Sequence, residues 1–219
     1  MGKKWMQAVA ALIAIAVWSS AAALAQGTAA PKKPAAVQSQ TDVAASFYQA
    51  MDTSTTGKGT VQKPKNAMGG MFELRHIHSN FIGYEFTYSF NPYDQYYTPD
   101  PGSCGYRCNN APLTMTAGLN LFGFDWVFSK QYGAVRPFAV AGLGFAATVP
   151  NSTAYASNNS VRPAYIAGGG VDFAISDHFG VRAQVRDNLF KAPALSLYYS
   201  PTGAYTQVVQ PMGGVFYRF

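Results

Sequence analysis

The chain has 219 residues, a length that allows one domain, with a formal charge of +6, 12% charged side chains, 15% aromatics and 21 glycines. Such a composition suits a surface facing lipid better than one facing water, yet mean hydropathy is near zero, as expected where apolar outward residues alternate with polar inward ones. The charge is scattered and falls to +4 without Lys3 and Lys4 (14 basic against 10 acidic), which excludes the clustered footprint of a nucleic-acid binder.

Residues 1–25 read as a signal peptide: Lys3 and Lys4 form the charged start, an apolar run covers 8–17, and Ala23-Leu24-Ala25 supplies the small residues of a cleavage site. The mature chain is expected to start at Gln26. The apolar run is shorter than the roughly 20 residues of a membrane-spanning helix, and nothing later supplies one. Any span is therefore made of strands, because lipid tolerates only helices and closed barrels.

Residues 26–41, rich in Ala, Pro, Lys and Gln, read as a flexible periplasmic lead-in, and residues 42–219 as the barrel. The first strand is predicted at 42–51 with Phe47 and Tyr48, followed by a polar spacer at 52–65. The second covers 67–77, and a tight link, His78-Ser79-Asn80, leads to the third at 81–90. There Ile82, Tyr84, Phe86, Tyr88 and Phe90 face one way, and Gly83, Glu85, Thr87 and Ser89 the other. A long spacer, 91–112, precedes the fourth strand at 113–123, where Met115, Ala117, Leu119 and Leu121 oppose Thr114, Thr116, Gly118 and Asn120. The aromatic run Phe122, Phe124, Trp126 and Phe128 carries it to a link at 130–134.

The fifth and sixth strands, 135–149 and 161–175, flank a polar loop at 150–160. Ser176-Asp177-His178 turns into the seventh, 179–189, in which Val181, Ala183 and Val185 oppose Arg182, Gln184 and Arg186. A spacer at 190–204 precedes the eighth, 205–219. Long and short spacers alternate, so both ends of the barrel lie on the short-turn side, as an even-stranded bacterial barrel requires. The predicted architecture is all-β: an eight-stranded antiparallel transmembrane barrel with long outer loops and short periplasmic turns.

A barrel of eight strands is just wide enough to be filled by side chains. Glu73, Arg75, Glu85, Asp172, Arg182 and Arg186 fall on the polar faces of their strands, and opposite charges confined in a lumen are expected to pair. That predicts a plugged polar lumen rather than an open pore. Trp126, Phe128, Phe179, Tyr217 and Phe219 lie toward the short turns and Tyr88 and Phe90 near the other rim, as two aromatic girdles. Tyr93, Tyr96 and Tyr97 read as rim packing or a folded loop in preference to a sugar-stacking platform.

Cys104 and Cys108 are expected to form a local disulfide, since an exported chain meets an oxidising compartment; zinc would need two further ligands. No metal or cofactor is expected. The bases available to an enzyme are His76, His78 and His178, all at short turns, with Ser79 beside His78 but no oxyanion donors assigned to it. Gly142–Gly144 and Gly168–Gly170 lie inside strand patterns, where glycine marks bends or close approach.

Residues 136–144 (Arg-Pro-Phe-Ala-Val-Ala-Gly-Leu-Gly), 168–173 with 181–186, and the terminal Phe216-Tyr217-Arg218-Phe219 resemble the OmpA-like and OmpX-like small outer-membrane barrels. The resemblance covers roughly residues 42–219 and is moderately specific for fold and poor for activity. It implies a last strand read as an assembly signal by the barrel-insertion machinery, with Val215, Tyr217 and Phe219 as its outward positions. Outer-membrane acyltransferases and deacylases of similar size carry their His and Ser at the long-loop side, opposite to the histidines here. The sequence thus points to a non-enzymatic, porin-like, monomeric protein of the Gram-negative cell envelope, in contact with outer-membrane lipid and lipopolysaccharide. The alternatives are a narrow channel for ions or small solutes and a lipid A-modifying enzyme.

Overall fold

Side chains along each strand point alternately into and out of a cylinder, and the strands that carry this alternation close on one another. The structure, a computed structural model, describes residues 39–79, 81–102, 111–151 and 159–219. The signal peptide, most of the lead-in and both cysteines lie outside the described residues. Ten strands follow in order: β1 (Gln40–Asp52), β2 (Thr55–Gly57), β3 (Thr60–Pro64), β4 (Ala67–Ile77), β5 (Ile82–Pro99), β6 (Leu113–Ser129), β7 (Val135–Pro150), β8 (Ser160–Ala174), β9 (Phe179–Lys191) and β10 (Tyr205–Arg218). All but β2 and β3 form an antiparallel barrel of eight strands, in which β5 pairs with β6 and β10 closes on β1 with Val43 opposite Tyr217. Within the barrel each strand thereby has a neighbour to bond to on both sides along most of its length, which is what a strand needs where no water is present.

The stretch at 52–65, read in the sequence as a polar spacer between strands, holds the β2–β3 hairpin. Its central residues Lys58 and Gly59 both have positive φ, 51° and 75°, the backbone of a turn whose twist matches that of its strands. β3 then pairs with the far end of β5, Thr60 opposite Pro99. This is possible because β5 extends well beyond residue 90, so much of the predicted spacer at 91–112 is wall. Pro92 stands where β4 has ended and β3 has not begun, an edge position that proline tolerates. The other predicted strands agree with the observed ones to within a few residues, β6 continuing through the aromatic run to Ser129.

The outward residues change character along the strands. On β6, Phe122, Phe124, Trp126 and Phe128 are exposed, whereas toward the long-loop end Thr114 and Thr116 take the same outward positions, with Asn120 half-buried between the two sets. On β5 the outward series is Ile82, Tyr84, Phe86, Tyr88, Phe90 and Pro92, then Asp94, Tyr96 and Thr98. Exposed Phe47, Phe72 and Leu143 continue the apolar band around the wall, Phe47 at 77%. The band matches the apolar belt about 25 Å tall of membrane barrels, and on β5 and β6 the wall beyond it is largely polar outside.

Met115, Ala117, Leu119 and Leu121 therefore contradict an apolar-outward rule applied to the whole of β6: all of them are buried inside. Past the band the barrel stands in water, and there the hydrophobic effect drives apolar side chains inward as in any soluble protein.

Candidate functional site

Inside the short-turn half, eight ionisable side chains meet. β9 contributes Arg182 and Arg186, β4 Glu73 and Arg75, β5 Glu85, β8 Asp172, β1 Asp42 and β6 Asp125, each at an inward position. Arg182 donates from Nε to Asp172 Oδ1 (2.7 Å), from Nη1 to Glu73 Oε2 (2.6 Å) and from Nη2 to Asp42 Oδ1 (2.9 Å). Arg75 donates from Nε to Glu85 Oε2 (2.7 Å) and from Nη1 to Asp172 Oδ2 (3.3 Å). Arg186 joins Glu85 Oε1 (2.7 Å) to Asp125, and Gln184 Nε2 donates to Glu73 Oε1 at 2.5 Å. The planar guanidinium suits this task because its five donors fork toward several carboxylates at once. Phe138 lies under the Arg75 guanidinium, 4.0 Å from ring centroid to Cζ, and with Ile77, Val127 and Val140 fills the space the charges leave.

The six residues expected to pair are thus brought together. Sequence reading missed Asp42 and Asp125, and it placed Gln184 on the polar face beside Arg182 and Arg186 without assigning it to the network. For Asp125 a signal existed: it lies between outward Phe124 and Trp126, and strand parity alone places it inside. A side chain at Gly142 would occupy the space of the Asp125 carboxylate, so the glycine on β7 makes room for the charge on β6. At the short-turn mouth Arg136 donates to Gln131 Oε1 (2.6 Å) and Gln40 Oε1 (2.5 Å).

The long-loop half is filled differently. Tyr93, Tyr97, Met115, Leu119, Leu121, Ile166 and Phe190 form one apolar cluster, joined by Leu195 and Tyr199 from the connection between β9 and β10. That connection folds over the mouth. Gln62 of β3 donates to the Pro193 carbonyl (2.7 Å) and the Tyr97 hydroxyl (3.1 Å), Thr202 donates to Gln62 Oε1 (3.3 Å), and Tyr199 stacks on Tyr97 with centroids 5.7 Å apart. Burial pushes the pKa of the Tyr199 phenol up, and its hydroxyl donates to the Ala111 carbonyl at 2.9 Å. The space left under this cover, between Asp52, Gln62, Tyr93 and Phe190, is about 10 Å³, on the order of a single water. The side chains of Tyr93 and Tyr97 thus belong to the packed interior, and Tyr96 faces out.

Trp126, Phe128, Phe179, Tyr217 and Phe219 are exposed at the short-turn end, where Phe179 and Phe219 contact Tyr217 at centroid distances of 5.0 and 5.3 Å. Val215 shares their outward face. Tyr88 and Phe90 mark the upper edge of the apolar band rather than the rim of the barrel, since β5 continues to Pro99. Tyr88 donates its hydroxyl to Asn120 Oδ1 (2.8 Å) at that edge.

His76 is held by hydroxyls on both ring nitrogens, Ser39 at 3.1 Å from Nε2 and Thr41 at 2.9 Å from Nδ1. His178 Nδ1 contacts the Arg218 carbonyl (3.1 Å) and its ring stacks on Tyr217; the backbone N–H of His78 closes the turn to Ile82. The histidines do not converge with one another. Among the described residues no group of three or more His, Cys, Asp or Glu side chains has the arrangement of a metal site.

No protein-family model matches the sequence, and no curated protein matches it. Solved structures do share its shape. The outer membrane protein OprG from Pseudomonas aeruginosa superposes with a TM-score of 0.54 at 12% identity, over 82% of this chain and 95% of that one. Neisserial surface protein A gives 0.54 at 12% identity over 84% and 100%, and Ail, the attachment invasion locus protein of Yersinia pestis, 0.51 at 14% over the same shares. The chain therefore has the fold of the small eight-stranded outer-membrane barrels.

Proposed function

We propose that the chain is an integral outer-membrane protein that catalyses no reaction, conducts no ions and acts through structure or surface contact at its long-loop end. The single observation that carries this reading is the doubly filled lumen: an ion-paired layer in one half and an apolar layer under a folded connection in the other. An ion crossing it would have to displace guanidinium–carboxylate pairs at hydrogen-bond distance and then enter an apolar layer, each step costing several kcal/mol. The exposed apolar band supports membrane residence. The side with the short turns is then the periplasmic one, and the pair Lys3–Lys4 with the apolar run at 8–17 supports export.

The experiment is conductance in planar bilayers: a silent membrane is expected, and steady single-channel steps that respond to Arg186→Gln would overturn the closed lumen. Val215, Tyr217 and Phe219 are the outward positions offered to the insertion machinery. Deleting Phe219 is expected to lower the amount of heat-modifiable protein in the outer membrane, and undiminished levels would remove that role.

A further inference from the structure

The outer wall carries a polar groove at the upper edge of the apolar band. Pairing between β4 and β5 ends at Gly70 opposite Phe90, and pairing between β3 and β5 begins only at Pro64 opposite Gln95. The break between them opens a groove of about 270 Å³ lined by Lys65, Asn66, Pro92, Asp94 and Thr116, with Tyr93 as its floor. Lys65 is tied into place by its backbone N–H, which donates to the Asp94 carbonyl at 2.8 Å. Lys63, two residues earlier, is also exposed and stands opposite Tyr96 in the sheet. Thr116 donates its hydroxyl to Asp94 Oδ1 (2.8 Å). Directly below, exposed Met68, Phe90 and Phe122 belong to the apolar band.

Two cations, one carboxylate, an amide and a hydroxyl thus sit where the outward face turns from apolar to polar, the depth at which lipid headgroups lie. We infer that the groove seats the phosphorylated headgroup of a membrane glycolipid. Lys65 and Lys63 meet the phosphate, Asn66 and Asp94 take the donors and acceptors of the sugar that bears it, and the acyl chains run down over Phe90, Phe122 and Met68. Charge favours this occupant: the cations outnumber the carboxylate, and a sugar offers the hydroxyl or amide donors that Asp94 accepts. The inference rests on the membrane-spanning reading, whose own failure would appear separately as loss of heat-modifiable migration.

The test is native mass spectrometry of the mature chain in neutral detergent, offered a phosphorylated glucosamine lipid or its dephosphorylated counterpart. The phosphorylated lipid is expected to remain bound, with Lys63→Ala/Lys65→Ala lowering the retained adduct roughly 30-fold, at about one kcal/mol per cation. Lys130→Ala at the short-turn end is expected to leave it unchanged. Equal retention of the two lipids, or wild-type retention by the double variant while it still shows heat-modifiable folding, would overturn the site.

Discussion

The two halves of the lumen are built on opposite principles. In the short-turn half the wall is apolar outside and charged inside; in the long-loop half β5 and β6 turn polar outside, and an apolar cluster takes the place of the charges inside. The change follows the solvent. Where hydrocarbon surrounds the barrel, an apolar side chain gains nothing by turning inward, because lipid is as apolar as the core, so the interior must be held by hydrogen bonds and ion pairs. Where water surrounds it, burial of apolar surface again drives the packing, at about 25 cal/mol for each Å². One continuous strand such as β6 serves both regimes, with Asp125 inside near one end and Met115 inside near the other.

The sharpest way to break this contrast is at Arg182. Arg182→Ala leaves Asp42, Glu73 and Asp172 buried without their shared partner, and the expected loss is about 3 to 5 kcal/mol of unfolding free energy in detergent. Denaturant titration followed by gel migration measures it. Arg182→Lys is expected to recover only part, because one ammonium cannot reach three carboxylates as a forked guanidinium does. A loss under 1 kcal/mol for the alanine variant would mean that the ion pairs do not hold this half.

The next effect tests where the two regimes meet. Phe124 and Thr114 both face outward on β6, one inside the band and one above it. Phe124→Arg is expected to cost about 2 to 4 kcal/mol and Thr114→Arg about 0 to 1, since an arginine is penalised according to its depth in hydrocarbon. Equal costs, measured by reversible unfolding into lipid vesicles, would show that the band does not end between them.

The contrast also explains what was legible in the sequence. Eight strands, their faces around Glu85, Asp172 and Arg182, and the pairing of six charges follow from period-two alternation, because inside the band the outward apolar residues label parity without ambiguity. Beyond the band the label inverts. Met115, Leu119 and Leu121 keep perfect alternation, but their sequence pattern is the same whether water lies outside or inside, and the height of the membrane is a property of the folded barrel. The same limit hid the extension of β5: Tyr93, Gln95 and Tyr97 alternate with Asp94 and Tyr96, and a strand with polar residues outside resembles a loop. Leu195 and Tyr199 had no signal at all, since their burial comes from a connection folding back over the mouth. Asp125 was readable from its neighbours, and Asp42 was obscured by its place at the boundary of the first strand.

The smallest effect separates two leucines of that connection. Leu195 is fully buried in the apolar cluster and its backbone hydrogen-bonds the Tyr97 phenol, while Leu197, two residues on, is 69% exposed. Leu195→Ala is expected to cost about 2 kcal/mol, at the low end for a buried leucine because a connection can settle into the space more readily than a strand. Leu197→Ala is expected to stay within about 0.5 kcal/mol. The pair is informative because both changes remove the same atoms from the same segment, so only burial under the long-loop mouth distinguishes them. If both prove silent, the connection rests on the barrel without sealing it, and the apolar half is held by its wall residues alone. If Leu195→Ala instead costs as much as Arg182→Ala, the mouth of the barrel matters to its stability as much as its ion-paired half.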